Sequence, residues 1–151
     1  MIRRTLHGIG NHLFYYSAIM YVAWQTGRRP CILSKSRHVL LNRVFDVDIP
    51  LLDIKTFGCP IYKFNHRCCG VYDKRMRELV NINKNTSLEL HGFFQTWKYA
   101  EPIAIQLRQQ LKFKKEITEF VANFLSTRVP LGWSNLEFVR VGIHVRRGDF
   151  L

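Results

Sequence analysis

The stretch that decides the fold runs from residue 7 to residue 30 and reads HGIGNHLFYYSAIMYVAWQTGRRP. Gly8 and Gly10 precede a strongly apolar segment, and Gly27 follows that segment in the position where helices commonly end. The pattern predicts a buried helix opened by a glycine loop. Next along the chain, RRPCILS (28–34) predicts a short strand and RHVLLNRVFDV (37–47) a second, shorter helix. This order predicts a βαβ unit.

The rest of the chain continues the alternation of strands and helices. Residues 50–84 show no clean period and predict short elements and loops, whereas SLELHGFFQ (87–95) predicts a strand that contains Gly92, a residue that permits another backbone or a ligand to approach closely. Two helices are predicted next, over 101–113 and 115–128, and then another strand over 136–145. The predicted fold class is α/β.

Composition limits the function classes. The chain has 151 residues, of which 47% are apolar, enough for one core. Lys and Arg number 23 against 11 Asp and Glu, so the net charge of +12 predicts an anionic partner. The basic residues form small groups between apolar segments, which disfavours a nucleic-acid partner. A basic binding module for nucleic acid or an anionic glycan stays as the alternative.

The glycine loop is the first candidate anion site. Glycines let a ligand approach the backbone closely, and a helix N-terminus directs unpaired N–H groups at an anion. The segment lacks the third glycine of GxGxxG and the Gly-Lys-Ser/Thr ending of a P-loop. A tight turn that only starts a helix is therefore the alternative.

The second candidate anion site is VRRGDF, residues 145–150. Arg146 and Arg147 end an apolar strand, and guanidinium groups bind phosphate oxygens in a forked geometry. Asp149 can orient an arginine, and His144 faces the same way as Arg146 because side chains alternate along a strand. The apolar strand predicts a position at the rim of a sheet, where ligands of α/β proteins collect. A solvated pair balanced by Asp149 is the alternative.

Three segments together resemble a known family. HGIGNHLFYYSAIMYVAWQTGRRP, GFFQTWKYAEP and GIHVRRGDF are similar, in the same order, to the motifs of glycosyltransferase family 11, the α-1,2-fucosyltransferases, in their invertebrate-type form. His7 departs from the glycine usual in the family, and residues 1–5 are polar and basic where the family has an apolar strand. The resemblance implies a GT-B-like architecture, with an acceptor-side domain over 1–135 and the start of the GDP-sugar-binding domain over 136–151.

The resemblance also implies a reaction, the inverting transfer of fucose from GDP-fucose to a galactose-terminated glycan in protein glycosylation. Negative charge grows on the β-phosphate of the leaving GDP, and an arginine aimed there stabilises the transition state without a metal or other cofactor. Arg146 takes this catalytic role by resemblance. The other donor-binding residues it implies are His144, Arg147, Asp149, Gly8, Gly10 and Asn11.

The middle motif supplies candidates for contact with the acceptor. Aromatic faces pack against the apolar side of a pyranose, and an amide serves its hydroxyl groups. These candidates are Phe94, Gln95, Trp97 and Tyr99, and core packing is the alternative for each aromatic residue. A general base must lie within hydrogen-bond reach of the acceptor hydroxyl. The sequence does not rank the three candidates for it, His12, His91 and Asp149.

Two patterns raise the alternative of a metal. Asp46-Val47-Asp48 spells the DxD motif of metal-dependent glycosyltransferases, but it follows a short helix and is interpreted as a helix-ending turn. His66, Cys68 and Cys69 with His91 have a spacing that suits one tetrahedral zinc ion poorly. We therefore expect no metal.

Two further expectations concern the cellular location of the protein and the completeness of the chain. The family implies the lumenal side of the Golgi membrane, through an anchor that this chain lacks, and Asn85-Thr86-Ser87 is an N-glycosylation sequon. A donor-binding domain needs further strands and helices after its arginine loop. Because the chain ends two residues after Asp149, we expect a fragment with little or no transferase activity of its own.

Overall fold

A computed structural model describes residues 8–33, 39–47, 50–52, 58–67, 70–128 and 143. It combines helices with pairs of parallel strands, which is consistent with the predicted α/β class. They are α1 (Ile9–Thr26), β1 (Ile32–Leu33), α2 (Val39–Val44), β2 (Leu51–Leu52), β3 (Ile61–Asn65), β4 (Ser87–His91), α3 (Ala104–Gln110) and α4 (Lys115–Arg128). Short 3-10 segments cover Lys74–Asn81, Trp97–Tyr99 and Glu101–Ile103. The chain divides into two compact units, residues 1–114 and 115–151.

Helix α1 confirms the predicted buried helix. It ends at Gly27, whose φ of 65° is left-handed and whose N–H donates to the Ala23 carbonyl. Its first helical residue is Ile9, with the extended Gly8 as N-cap. Gly10 and Asn11 therefore lie in the first turn of the helix and not in a loop before it. The glycine loop, predicted over residues 8–11, was therefore predicted three residues too long.

Two pairs of parallel strands organise the first unit. β1 pairs with β2 through Ile32↔Leu51 and Leu33↔Leu52, and α2 connects them, so the three form a βαβ unit. Its second strand lies in the stretch for which only short elements and loops were predicted. β3 pairs with β4 over five residues, from Ile61↔Ser87 to Asn65↔His91. Because parallel strands end at the same edge of a sheet, the segments that follow β3 and β4 leave side by side.

Aromatic residues fill much of the core of the first unit. Tyr99 and Phe94 are the largest fully buried side chains, at 0% and 1% exposure. Ile103 and Leu107 are also buried, which confirms the apolar face predicted for residues 101–113. The core cluster comprises Tyr16, Ala18, Tyr21, Val22, Ile32, Leu41, Phe45, Phe64, Met76, Leu79, Phe94, Tyr99, Ile103 and Leu107.

Arg28 ties the end of α1 to the chain that precedes β4. Its guanidinium group donates to the carbonyl oxygens of Ile82 (2.8 Å), Asn83 (2.9 Å) and Thr86 (3.4 Å). These carbonyls belong to the turn between the 3-10 segment Lys74–Asn81 and β4. One of the small basic groups therefore contributes a structural arginine.

The described part of the second unit is mainly α4. The rings of Phe120 and Phe124 stack at 6.5 Å, and the Arg128 guanidinium lies 5.6 Å from the centre of the Phe124 ring. The predicted strand over 136–145, apart from residue 143, lies outside the described residues. So does the predicted domain boundary after residue 135, and the GT-B architecture stays a prediction.

Candidate functional site

The turn after β4 has an unusual backbone. Gly92 has a φ of 141° and Phe94 a φ of 51°, the one positive φ of a non-glycine residue in the described chain. A Cβ on Gly92 would lie 2.4 Å from His66 Cβ, so only glycine fits there. The close approach predicted at Gly92 is therefore confirmed, and His66 is the residue that approaches.

Burial of its side chain holds Phe94 in this conformation. Its ring lies 4.7 Å from the His66 ring and meets Tyr15 and Tyr99 edge-on, at 6.2 and 6.1 Å between ring centres. A left-handed conformation costs a residue with a Cβ about 1–2 kcal/mol. Full burial of a phenylalanine contributes about 1.5–3 kcal/mol, which offsets that cost.

A small polar network supports the aromatic ring of Phe94. The Tyr99 hydroxyl accepts a hydrogen bond from the Asp73 backbone N–H (2.9 Å) and lies 3.0 Å from His66 Nε2. Burial lowers the pKa of His66, against the opposing effect of Asp73, and burial raises the pKa of Tyr99 to about 12. A neutral His66 can then accept a hydrogen bond at Nε2 from the Tyr99 hydroxyl.

The same turn brings Gln95 to the start of α1. Gln95 Nε2 donates a hydrogen bond to Asn11 Oδ1 at 2.7 Å, across 84 residues of sequence. The Thr96 N–H donates to the Phe94 carbonyl at 2.7 Å and closes the turn. Two separately predicted site residues, one from each motif, are therefore in direct contact.

Among the described residues, the N-terminal end of α1 is open around this contact. Gly8 and Gly10 are exposed, and a Cβ on either would meet no other described residue within 4 Å. Gly8 provides no side-chain acceptor as N-cap, and no acidic residue lies in the first turn. The Asn11 N–H donates to the Gly8 carbonyl at 3.0 Å. This end of the helix is favourable for a negatively charged group.

The four acceptor candidates separate by burial. Trp97 is 60% exposed and Gln95 is partly buried, whereas Phe94 and Tyr99 belong to the core. Phe93, which the sequence analysis did not select, is 37% exposed. The core-packing alternative therefore describes Phe94 and Tyr99. Trp97 and Phe93 are the aromatic residues near Gln95 with surface to offer a sugar.

Sequence reasoning noticed His66 only as a poor zinc ligand. Its position beneath Gly92 depends on the parallel register of β3 and β4, which no local pattern shows. The glycine itself was the available signal, since a glycine after a strand often marks close approach.

The predicted donor residues Arg146, Arg147, His144 and Asp149 lie outside the described residues. Among the candidates for the base, His12 is buried at 5% exposure, and His91 Nε2 lies 3.0 Å from Glu89 Oε1. Neither geometry selects the base.

The metal patterns are only partly covered by the structure. Asp46 is exposed just after α2, and its N–H donates to the Lys112 carbonyl at 2.8 Å. Asp48, Cys68 and Cys69 lie outside the described residues. Within the described ranges, no group of three His, Cys, Asp or Glu side chains could hold a metal ion.

Comparison with known proteins gives a distant similarity. The chain is 28% identical over 144 residues to galactoside alpha-(1,2)-fucosyltransferase 1 of Alouatta caraya and to that of Rattus norvegicus, and 26% identical over 143 residues to that of Mus musculus. Each alignment covers 94% of this chain and 36–37% of the relative. The chain thus spans little more than a third of the length of these curated relatives. The class they support is a glycosyltransferase, and within it the α-1,2-fucosyltransferases are distant relatives.

Two further comparisons find no counterpart. No protein-family model matches the chain, and no solved structure matches it. Within the described residues, none of the helices combines the length and the apolar character needed to cross a membrane.

Proposed function

We propose that this chain is the acceptor-side part of an inverting galactoside α-1,2-fucosyltransferase. The observation that carries the proposal is the hydrogen bond between Gln95 and Asn11, because it joins the first and middle motifs at an open helix start. Both segments lie within the similarity to the fucosyltransferases, which covers 94% of the chain. The substrates proposed are GDP-fucose and a galactose-terminated glycan.

The reaction needs a base for the acceptor hydroxyl and a positive charge beside the leaving phosphate. A hydroxyl oxygen of the acceptor bonds to the anomeric carbon of fucose while the bond from that carbon to the β-phosphate oxygen breaks. The electron pair stays on GDP, and the hydroxyl proton passes to a base. Arg146 is proposed to stabilise the charge on the β-phosphate, so that no metal is required. Approach from the face opposite to GDP inverts the anomeric centre.

Two exposed features of the described chain suit the two proposed substrates, one the acceptor and the other the donor. The Trp97 ring offers an apolar face for a pyranose, and its exposure of 60% leaves that face free of the core. The start of α1 offers backbone N–H groups to an anionic donor. An amide bridge between Gln95 and Asn11 connects the two features.

The test is a calorimetric titration of GDP into the natural gene product that contains residues 1–151. Arg146→Ala is expected to weaken binding about tenfold or more, because a hydrogen bond to a charged group contributes about 1.5–3 kcal/mol. Arg29→Ala is the matched control, since Arg29 is an exposed arginine of another basic group. Equal losses in both variants would indicate unspecific attraction of anions and would contradict the proposal.

A second measurement concerns the metal. Transfer of fucose to a galactoside acceptor is expected to continue at an unchanged rate in excess chelator. A rate that falls with chelator and returns with manganese would instead support the DxD alternative at Asp46.

A further inference from the structure

We infer that Gln95 is a positioning residue, whose side-chain amide fixes Asn11 so that the Asn11 NH2 group is left to donate to GDP. The inference rests on the proposed function, in which Asn11 contributes to the donor site. Its direct basis is the bond from Gln95 Nε2 to Asn11 Oδ1, at 2.7 Å. An asparagine whose oxygen already accepts a hydrogen bond has two N–H donors left for other partners. Those donors suit phosphate or hydroxyl oxygens.

The orientation of Asn11 places its amide near the open end of α1. Asn11 is the third residue of the helix, and Cα–Cβ bonds of a helix tilt toward its N-terminus. The amide therefore leans toward the exposed backbone of Gly8 and Gly10, where a Cβ would meet no other described residue within 4 Å. A donor fixed there adds to the N–H groups of the first turn.

The turn before Gln95 explains why this glutamine can act as a rigid support. Gly92 and Phe94 both have positive φ, and the Phe94 side chain is 1% exposed between Tyr15, His66 and Tyr99. A backbone conformation that residues with a Cβ rarely adopt persists only where its surroundings determine it. The buried ring thus fixes the place from which the Gln95 side chain starts.

Gln25 provides a matched control on the same helix. Gln25 Nε2 donates to the Arg77 carbonyl at 2.8 Å, so it too is a glutamine amide that makes a hydrogen bond between distant segments. It lies 14 residues after Asn11, about 21 Å along α1 at 1.5 Å per residue. Removing its bond tests the effect of a lost tertiary hydrogen bond without touching the candidate site.

The experiment measures the Kd of GDP by calorimetry, with the natural gene product that contains residues 1–151. The variants are Gln95→Met and Gln25→Met, which keep the side-chain length, together with Asn11→Leu and the double variant Asn11→Leu/Gln95→Met. Gln95→Met is expected to weaken binding about two- to tenfold, the equivalent of one hydrogen bond. Gln25→Met is expected to leave the Kd unchanged. The double variant should bind no more weakly than Asn11→Leu, because Gln95 acts through Asn11.

Each contrary outcome has a distinct meaning. An unchanged Kd in Gln95→Met, or equal losses in Gln95→Met and Gln25→Met, overturns the inference and leaves the proposed function standing. Additive losses in the double variant also overturn it. Absence of GDP and GDP-fucose binding by the unsubstituted protein overturns the proposed function, and the inference with it. If Gln95→Met does not fold, Gln95→Asn keeps the amide but is one methylene too short, and the same losses are expected.

Discussion

The side chain of His66 occupies the space that a side chain on Gly92 would need. A Cβ on Gly92 would lie 2.4 Å from His66 Cβ and 3.3 Å from its Cγ. The two residues follow directly after Asn65↔His91, the last pair of the β3–β4 register, and the His66 N–H donates to the His91 carbonyl at 2.8 Å. The contact therefore locks the two strand ends together at the base of the turn that holds Phe94 and Gln95.

Gly92→Ala is expected to destabilise the fold by about 2–4 kcal/mol, because backbone strain adds to a clash with a packed side chain. Urea denaturation measures the loss. Two other glycines serve as controls that separate the contribution of backbone strain from that of the clash. Gly27→Ala should lower the free energy of unfolding by about 1 kcal/mol, because Gly27 has a φ of 65° but a Cβ there would meet no other described residue within 4 Å. Gly58, which has neither constraint, should change stability by less than about 0.5 kcal/mol. Equal losses at all three would contradict the role of His66.

The stability of the fold is expected to fall as the pH drops below 6.5 because of His66. Burial lowers its pKa in the folded state from the ordinary 6.5, so the unfolded chain binds more protons on this residue. The stabilisation is present above pH 6.5 and is lost as the pH falls through the folded pKa. Asp73 titrates outside this window, since its hydrogen bond from Arg75 lowers a pKa that is ordinarily 3.8.

The measurement is the urea midpoint at pH 7.5 and pH 5.5, for the unsubstituted chain and for His66→Gln. Glutamine keeps an acceptor near the Nε2 position and does not titrate. The difference between the two midpoints should shrink in the variant. An identical pH dependence in both proteins would show that His66 does not carry it.

Tyr99→Phe is expected to lower the free energy of unfolding by about 1–3 kcal/mol, although it removes a single oxygen atom. The hydroxyl is the acceptor for the Asp73 N–H, and its loss leaves a backbone donor without that partner in the core. Tyr62, on β3, is 42% exposed, and Tyr62→Phe should change stability by less than about 0.5 kcal/mol. Chemical denaturation of both variants gives the comparison, and similar values would argue against the network.

Trp97→Ala is expected to raise the KM for the galactoside acceptor about three- to tenfold with little change in the KM for GDP-fucose, because the proposed function gives this ring a contact with the acceptor sugar and none with the donor. Trp24 is the control, with 56% exposure against 60% for Trp97, and it lies near the other end of α1. Steady-state kinetics with both substrates separate the effects. A rise in both KM values, or the same rise in Trp24→Ala, would remove Trp97 from the acceptor site.

Asn85 is expected to carry an N-linked glycan when the protein passes through a eukaryotic secretory pathway. The residue is exposed in a turn, where its N–H donates to Asn83 Oδ1 at 2.9 Å, so an oligosaccharyltransferase can reach the side chain. Treatment with an N-glycosidase should lower the mass of the secreted protein, and Ser87→Ala, which removes the hydroxyl residue of the sequon, should abolish that change. A mass that the enzyme leaves unchanged would refute the expectation.

Local patterns predicted the helices of this fold well, since Gly27, Pro102 and the spacing of Ile103 and Leu107 act on their own neighbours. The start of α1 was misjudged because glycines at Gly8 and Gly10 suggest a loop, although helical backbone remains accessible to them. Pairing of β3 with β4 joins residues 26 positions apart, as in Ile61↔Ser87, and no single segment encodes it.

The candidate site was also predicted only in part: its residues follow from local motifs, whereas their contacts depend on the fold. Asn11 and Gln95 were each predicted from their motifs, but their hydrogen bond depends on the turn at Gly92 and Phe94. The alternation of aromatic residues in GFFQTWKY does not reveal which rings face the core, because positive φ at Phe94 breaks the period of the strand. Burial of Phe94 and exposure of Trp97 thus required the structure.

Arg28 donates hydrogen bonds to three carbonyl oxygens, and this affects how the protein binds an anion. The charge of that guanidinium still contributes to the long-range field, so it speeds the diffusional encounter with a negatively charged molecule. Its Nε and one of its Nη atoms already donate to these carbonyls, so it adds little to the lifetime of the complex once formed. Arg75, with its carboxylate partner Asp73, is engaged in the same way. Salt should therefore slow the association of anions more than it hastens their release at this part of the surface.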